Sequence, residues 1–167
     1  MPDERPAQSP ILLLDTNVWL DLCLPTRPNV EASRELVAYA EAHCISMAYA
    51  AQASLDVYQR VMVDNKRWVR ASGELTQEWA VAIKRMAWDC VNRMQELATA
   101  VPVDSSDIWL ACKYRDYHDD YEDDLVLAAC RRVKADYLVT NDRSLLTHST
   151  ICAKTPRQML DLLKVGL

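Results

Sequence analysis

The 167-residue sequence contains no phenylalanine, so tryptophan, tyrosine, methionine and leucine must supply the bulk of any core. It also lacks a long apolar run, because the longest strongly apolar stretch, Ile11–Leu14, has the length of a strand and falls far short of a membrane span. Internal repeats and low-complexity segments are missing as well. At this size, with half of its residues apolar, the sequence predicts one ordinary globular domain.

The first ten residues have neither the basic nor the apolar region of a signal peptide, since they are polar and carry prolines. We therefore predict a disordered tail over residues 1–10 and a single domain over residues 11–167. The expected location is the cytoplasm, without membrane contact.

Closely spaced cysteines are missing too, which excludes zinc-knuckle and redox motifs. Most cysteines fall on predicted apolar faces, where a free thiol behaves as a small hydrophobic group. We expect structural cysteines at all six positions: Cys23, Cys44, Cys90, Cys112, Cys130 and Cys152.

An excess of positive charge is absent, and the net charge of −5 argues against a protein that coats nucleic acid non-specifically. Six of the acids lie within residues 116–124, and without them 19 basic residues face 18 acidic ones. Such a concentrated acidic segment calls for cations, a basic partner or plain solvent.

Short apolar runs alternate with helical patterns along the whole chain. The strongest helical pattern is a series of apolar residues spaced by three or four positions: Trp79, Ile83, Met86, Cys90, Met94 and Leu97. We predict strands at residues 11–14, 45–49, 101–103, 137–140 and 151–153. Helices are predicted at residues 18–20 (one turn), 30–43, 52–62, 76–97, 105–114, 121–134 and from residue 156 onward. Residues 66–73 are predicted to be turn-rich. The alternation predicts an α/β fold with three layers, α/β/α, around a central, mainly parallel sheet.

The helix starts are predicted from capping residues. Asn29, Thr76 and either Ser105 or Ser106 can cap the helices that follow them, and Pro156 suits a first helical position.

Two acids follow buried strands directly: Asp15 after the first strand and Asp142 after the strand at residues 137–140. In parallel α/β sheets, ligands bind outside the carboxyl ends of the strands, so both side chains should enter one crevice. Neighbouring carboxylates repel one another unless a cation lies between them. Oxygen ligands without nearby histidine or cysteine favour Mg²⁺ or Mn²⁺ over zinc.

Four segments in order resemble the PIN domain family: residues 13–18 (LLDTNV), 54–56 (SLD), 120–125 (DYEDDL) and 137–142 (YLVTND). The resemblance extends from about Ile11 to the C-terminus. It implies a metal-dependent nuclease, commonly an endoribonuclease, holding one or two Mg²⁺ or Mn²⁺ ions. Many bacterial members are VapC-like toxins, which implies a small basic antitoxin and a homodimer as partners, with single-stranded RNA as substrate.

By position, the resemblance implies an acidic quartet for catalysis and metal binding: Asp15, Asp56, Asp123 and Asp142. Candidate accessory residues are Asn17, Asp120 and Thr140. Many members carry glutamate where Asp56 stands, and the segment at residues 66–98 is longer than in the compact toxins.

The choice between Asp123 and Asp124 follows from helical phase. Val126, Ala129, Cys130 and Val133 form a stripe predicted to face the core. Asp123 extends this stripe by one step, whereas Asp124 is predicted to point to solvent. The expectation is that Asp123→Asn abolishes activity and Asp124→Asn costs little, with Asp120 capping the helix ahead of both.

Arg67, Trp68 and Arg70 could contact RNA through phosphates and base stacking, although a solvated helix end with one packed tryptophan is the favoured interpretation. His118, beside the acidic segment, is expected to be a surface residue.

Three alternatives need other features. A phosphatase of the haloacid dehalogenase type needs Asp-x-Asp, but Asn17 occupies the second position. A receiver-like signalling domain needs an acidic pair at the first strand and an aspartate at the third. A catalytically silent PIN scaffold that binds protein or RNA usually lacks part of the quartet, which this sequence retains.

Overall fold

The computed structural model describes residues 9–116 and 119–166. Most of the predicted tail and His118 therefore lie outside the described residues. The described ranges contain five strands and eight helices. In chain order they are β1 (Ile11–Leu14), α1 (Thr16–Cys23), α2 (Val30–Ala42), β2 (Ser46–Ala50), α3 (Ala53–Ser72), α4 (Gln77–Leu97), β3 (Thr99–Val101), α5 (Ser105–Tyr114), α6 (Tyr121–Val133), β4 (Tyr137–Val139), α7 (Arg143–His148), β5 (Ala153–Lys154) and α8 (Pro156–Val165).

The sheet has the strand order β3-β2-β1-β4-β5, and all of its strand pairs are parallel. β1 lies at the centre, where Leu13 pairs with Ala48 of β2 on one side and with Leu138 of β4 on the other. A central strand is covered on both faces, which is why its sequence is a continuous apolar run.

The two faces of the sheet carry separate hydrophobic clusters. Leu12 and Leu14 pack with residues of α1, α2, α3, α4 and α8, whereas Leu13 packs with α5, α6 and α7. Successive side chains of a strand point to opposite faces, so this division follows from the alternation in β1. The three-layer α/β/α prediction is confirmed.

Several predicted boundaries were wrong. α3 continues to Ser72, through the stretch predicted to be turn-rich, because Val61 and Val69 give it a buried face. β3 ends at Val101, two residues earlier than expected, and β5 begins only at Ala153. α7 was not predicted, since six residues are too few to show helical periodicity.

Helix capping was predicted in part. Thr76 caps α4, and Pro156 occupies the first turn of α8. α5 is capped by Asp104 in a reciprocal capping box with Asp107, and not by either serine. Asn29 precedes α2, but its side chain makes no capping hydrogen bond.

The prediction that most cysteines lie on buried faces was wrong. Only Cys130 is fully buried, whereas Cys44, Cys112 and Cys152 are exposed. All six are free thiols. None of the helices in the described ranges is long and apolar enough to cross a membrane.

Candidate active site

The order of the strands creates a crevice between β1 and β4. From β1 the chain winds to β2 and β3 on one side, then crosses back to β4 and β5 on the other. Such a reversal leaves a gap at the carboxyl ends of the two central strands, where ligands bind in parallel sheets. Asp15 follows β1 directly, and Thr140, Asn141 and Asp142 follow β4.

Asp15 is almost inaccessible, with 6% of its surface exposed, and it caps the N-terminus of α1. Its Oδ1 accepts a hydrogen bond from the backbone N–H of Thr16 at 2.6 Å. Its Oδ2 accepts from Asn17 Nδ2 at 2.6 Å and from the Thr140 hydroxyl at 2.7 Å. Two of the three candidate accessory residues, Asn17 and Thr140, therefore hold this carboxylate directly.

The electrostatics around Asp15 favour protonation. Burial raises its pKa, and the charge of Asp142 raises it further. Hydrogen bonds from Thr140, Thr16 and Asn17 act in the opposite direction without cancelling the shift. A carboxylate in this position becomes more stable when a cation approaches.

Asp142 is fixed by the helix that follows it. Its Oδ1 accepts from the backbone N–H groups of Ser144 at 2.7 Å and Leu145 at 3.1 Å, capping α7. Its own N–H donates to the Thr140 hydroxyl oxygen at 2.9 Å. Thr140 thus connects Asp15 and Asp142, and α7 determines where the second carboxylate sits.

Asp56 and Glu122 extend the acidic crevice. Asp56 lies in the first turn of α3, where burial raises its pKa. Together with Thr16, Asp56 and Glu122 line a cavity of about 340 Å³. The pKa of Glu122 is raised by burial, then by the charges of Asp56 and Asp15. Sequence reasoning missed Glu122, although its position beside Asp123 in the first turn of α6 was a usable signal.

Asp123 is half-buried in the first turn of α6. Asp120 caps this helix, and its side chain accepts hydrogen bonds from the backbone N–H groups of Glu122 at 3.0 Å and Asp123 at 3.3 Å. Asp123 shares a helix face with Cys130, two turns later. The pKa of the Cys130 thiol is raised to about 12 by burial and by the charge of Asp15. That Asp123 lies beside Asp15 stays a prediction.

The prediction that Asp124 points to solvent was wrong, since only 2% of its surface is exposed. α5 packs along that side of α6, so that residues 124–130 are buried without interruption. A helix buried all round has no apolar stripe from which the orientation of a neighbouring acid can be read.

Another buried aspartate, Asp21, lies near the crevice and was not predicted. It accepts hydrogen bonds from Arg27 Nε at 2.7 Å, Ser33 Oγ at 2.8 Å and Asn141 Nδ2 at 2.9 Å. Asn141 also donates its backbone N–H to Asn17 Oδ1 at 3.0 Å, joining the loop after β4 to α1. The signal was a lone acid in the otherwise apolar middle of α1.

The candidate RNA-contact residues Arg67, Trp68 and Arg70 are exposed near the end of α3. Trp68 follows Asp56 by twelve residues, a rise of about 18 Å along the helix. This stretch therefore lies along α3 away from the carboxylates, and contact with RNA there stays a prediction.

The donor chemistry of the crevice suits a hard divalent cation. The charge of Asp142 acts on Asp15, and the charges of Asp56 and Asp15 act on Glu122. A bound cation would relieve this repulsion between carboxylates. In residues 9–116 and 119–166, no three such side chains already stand in the arrangement of a metal site. That the predicted quartet shares a cation stays a prediction.

Comparison with known proteins gives one family. A PIN domain family model matches residues 12–144. The fold is similar to VapBC2 from Rickettsia felis bound to a DNA fragment from their promoter, with a TM-score of 0.61, 10% identity and coverage of 87% of this chain and 98% of the other. It is also similar to VapC20 of Mycobacterium tuberculosis, a sarcin-ricin loop cleaving toxin, with a TM-score of 0.56, 13% identity and coverage of 76% and 86%. No curated protein matches the chain.

Proposed function

Because this chain belongs to the PIN domain family, we propose that it is a metal-dependent ribonuclease that hydrolyses phosphodiester bonds of single-stranded RNA in the crevice at Asp15. The observation that carries the proposal is the environment of Asp15. A buried carboxylate is held there by neutral donors only, with the charge of a second acid beside it. Perturbed acids of this kind mark functional sites.

We assign metal binding to Asp15, Asp56, Asp123 and Asp142, and we add Glu122 to this group. One or two Mg²⁺ or Mn²⁺ ions bound there would lower the pKa of a water molecule and neutralise charge on the attacked phosphate. A carboxylate of the group can act as general base toward that water.

The remaining polar residues have positioning roles in this proposal. Asn17 and Thr140 orient Asp15 by donating to the same carboxylate oxygen. Asp120 begins α6 and thereby places Glu122 and Asp123 in its first turn. Negative side chains at a helix N-terminus are favoured by the helix dipole, which opposes the burial that raises the pKa of Glu122.

The proposed setting is a toxin–antitoxin pair in the cytoplasm. The structural similarity to proteins called toxins supports it, as does the concentration of acids at residues 116–124, which a small antitoxin could meet with arginine or lysine. A homodimer and RNA contact by Arg67, Trp68 and Arg70 remain part of the proposal. Co-purification with a small basic protein and toxicity on expression would support the pair, and their absence would favour a stand-alone nuclease.

Cleavage of a labelled single-stranded RNA with Mn²⁺, with Mg²⁺ and with EDTA tests the activity. We expect metal-dependent cleavage that Asp15→Asn abolishes. The matched control is Asp161→Asn, which removes an exposed carboxylate of α8 and should cleave normally. Absence of cleavage with either metal, in a folded protein, would favour the silent scaffold that binds protein or RNA.

A further inference from the structure

A groove of about 640 Å³ runs along α5, between this helix and the C-terminal half of α6. It is lined by Trp109 and Lys113 from α5 and by Ala128, Arg131 and Arg132 from α6. We call it the α5–α6 groove. None of these residues belongs to the acidic crevice.

Trp109 is the main apolar feature of the groove, and 63% of its surface is exposed. The Lys113 ammonium lies 5.4 Å from the centroid of its ring, the geometry of a cation–π contact. A large aromatic ring left in solvent beside a cation offers a surface on which a nucleobase can stack while the cation meets a phosphate.

The cations of the groove differ in their availability. Arg132 is engaged by the carboxylates of Asp104 and Asp107, each at 2.7 Å from its Nη2. Among the ion pairs of residues 9–116 and 119–166, none involves Lys113 or Arg131. The groove therefore keeps two cations for a ligand, on a chain whose net charge is −5.

We infer that the α5–α6 groove binds single-stranded RNA, with Trp109 stacking on a base and Lys113 and Arg131 contacting its phosphates. This inference rests on the proposed function for its choice of ligand. The groove and the crevice lie at opposite ends of α6, since Arg131 follows Asp123 by eight residues, a rise of about 12 Å. One strand can therefore occupy the groove while another part of it reaches the carboxylates.

The test measures RNA binding without cleavage. A fluorescein-labelled single-stranded RNA is titrated with the Asp15→Asn protein, and binding is followed by fluorescence anisotropy at several salt concentrations. Added to this protein, Trp109→Ala should weaken binding about tenfold, because stacking of one base is lost, and Trp109→Phe should recover part of it. Lys113→Ala should weaken binding and reduce the slope of log K against log salt by about 0.7.

Two substitutions on α4 serve as matched controls: Trp88→Ala for an exposed tryptophan and Lys84→Ala for an exposed lysine. Both should bind RNA as the parent protein does. Trp68→Ala compares the groove with the basic stretch on α3. Binding that depends on Trp68 and not on Trp109 would overturn the inference.

The outcomes separate this inference from the proposed function. Binding that depends on Trp109, in a protein that never cleaves RNA, would keep the groove and remove the nuclease. Cleavage by the unaltered chain, combined with binding that ignores both Trp109 and Lys113, would keep the nuclease and reject the groove as an RNA site. In that second case an acidic peptide of a protein partner would be the remaining candidate ligand of the groove.

Discussion

Asp15 and Asp21 are two buried aspartates six residues apart, with 6% and 0% of their surfaces exposed, yet their surroundings are opposite in character. Asp21 faces the Arg27 guanidinium and two further donors. Asp15 accepts hydrogen bonds from three neutral donors: a backbone N–H group, the amide of Asn17 and the hydroxyl of Thr140. The negative charge of Asp142 acts on it as well.

The difference separates a carboxylate that is stabilised inside the protein from one that we propose to be functional. A buried charge must be paired or hydrogen-bonded, and Asp21 has both kinds of partner inside the protein. Asp15 has hydrogen bonds but no cation, so its ionised form is less stable than it would be in water. Burial alone would not have distinguished the two residues, whereas the charge of their partners does.

The largest expected effect repeats the comparison on α6, where Asp123 and Asp124 are adjacent. Asp123→Asn should reduce RNA cleavage about a thousandfold or more, because it removes a negative ligand from the crevice. Asp124→Asn should leave cleavage per folded molecule nearly unchanged and lower stability by about 1–3 kcal/mol, because a buried acceptor is altered. Cleavage rates and thermal melts of both variants provide the check. If Asp124→Asn is inactive and Asp123→Asn is active, the metal-binding role passes from Asp123 to Asp124.

The next effect concerns stability. Asp21→Asn should lower the free energy of unfolding by about 3 kcal/mol, since Arg27 loses its partner at a largely buried position. Denaturant unfolding monitored by circular dichroism measures it. Arg27→Gln serves as the reciprocal variant and should be destabilising too, because it removes the cationic partner of the buried Asp21 carboxylate. If both variants lower the free energy of unfolding by less than about 0.5 kcal/mol, Asp21 does not have the structural role that we assign to it.

The stability gained from metal binding should depend on Asp15 and not on Asp21. At a hundredfold excess over its dissociation constant, Mn²⁺ should raise the free energy of unfolding by about 2.7 kcal/mol. Asp15→Asn should reduce this gain, whereas Asp161→Asn should keep it. Thermal melts with and without Mn²⁺ show the difference, and identical melts for the unaltered chain would count against a metal site.

The smallest expected effect is a pH dependence in the absence of metal. The pKa of Asp15 is raised on folding, so the folded state binds its proton more tightly than the unfolded state, where the pKa is about 3.9. Ionisation of Asp15 therefore costs stability at neutral pH, and the cost disappears as the pH falls toward 4. The unaltered chain should gain stability on acidification relative to Asp15→Asn. Parallel curves of unfolding free energy against pH for the two proteins would contradict this.

Much of the fold could be predicted because the signals are local. β1 was recognised from four consecutive apolar residues, α4 from its spacing of apolar side chains, and α6 from a capping aspartate. Asp15 and Asp142 were placed in one crevice because parallel strands bring their carboxyl ends to the same edge. α7 was not predicted because a helix of six residues is too short to show a periodic pattern.

The sequence by itself determined the three-layer fold and the position of acids at the ends of β1 and β4, since both depend on patterns within a few residues. Only the tertiary structure decided what surrounds each acid. The Thr140 hydroxyl reaches Asp15 across 125 positions of the chain, and Asn141 reaches Asp21 across 120. The packing of α5 on α6 buried Asp124, and Glu122 joined the crevice because α3 brings Asp56 beside it. Burial and partner charge arise from segments distant in sequence, and these two quantities distinguish the structural Asp21 from Asp15, which we propose as a metal ligand.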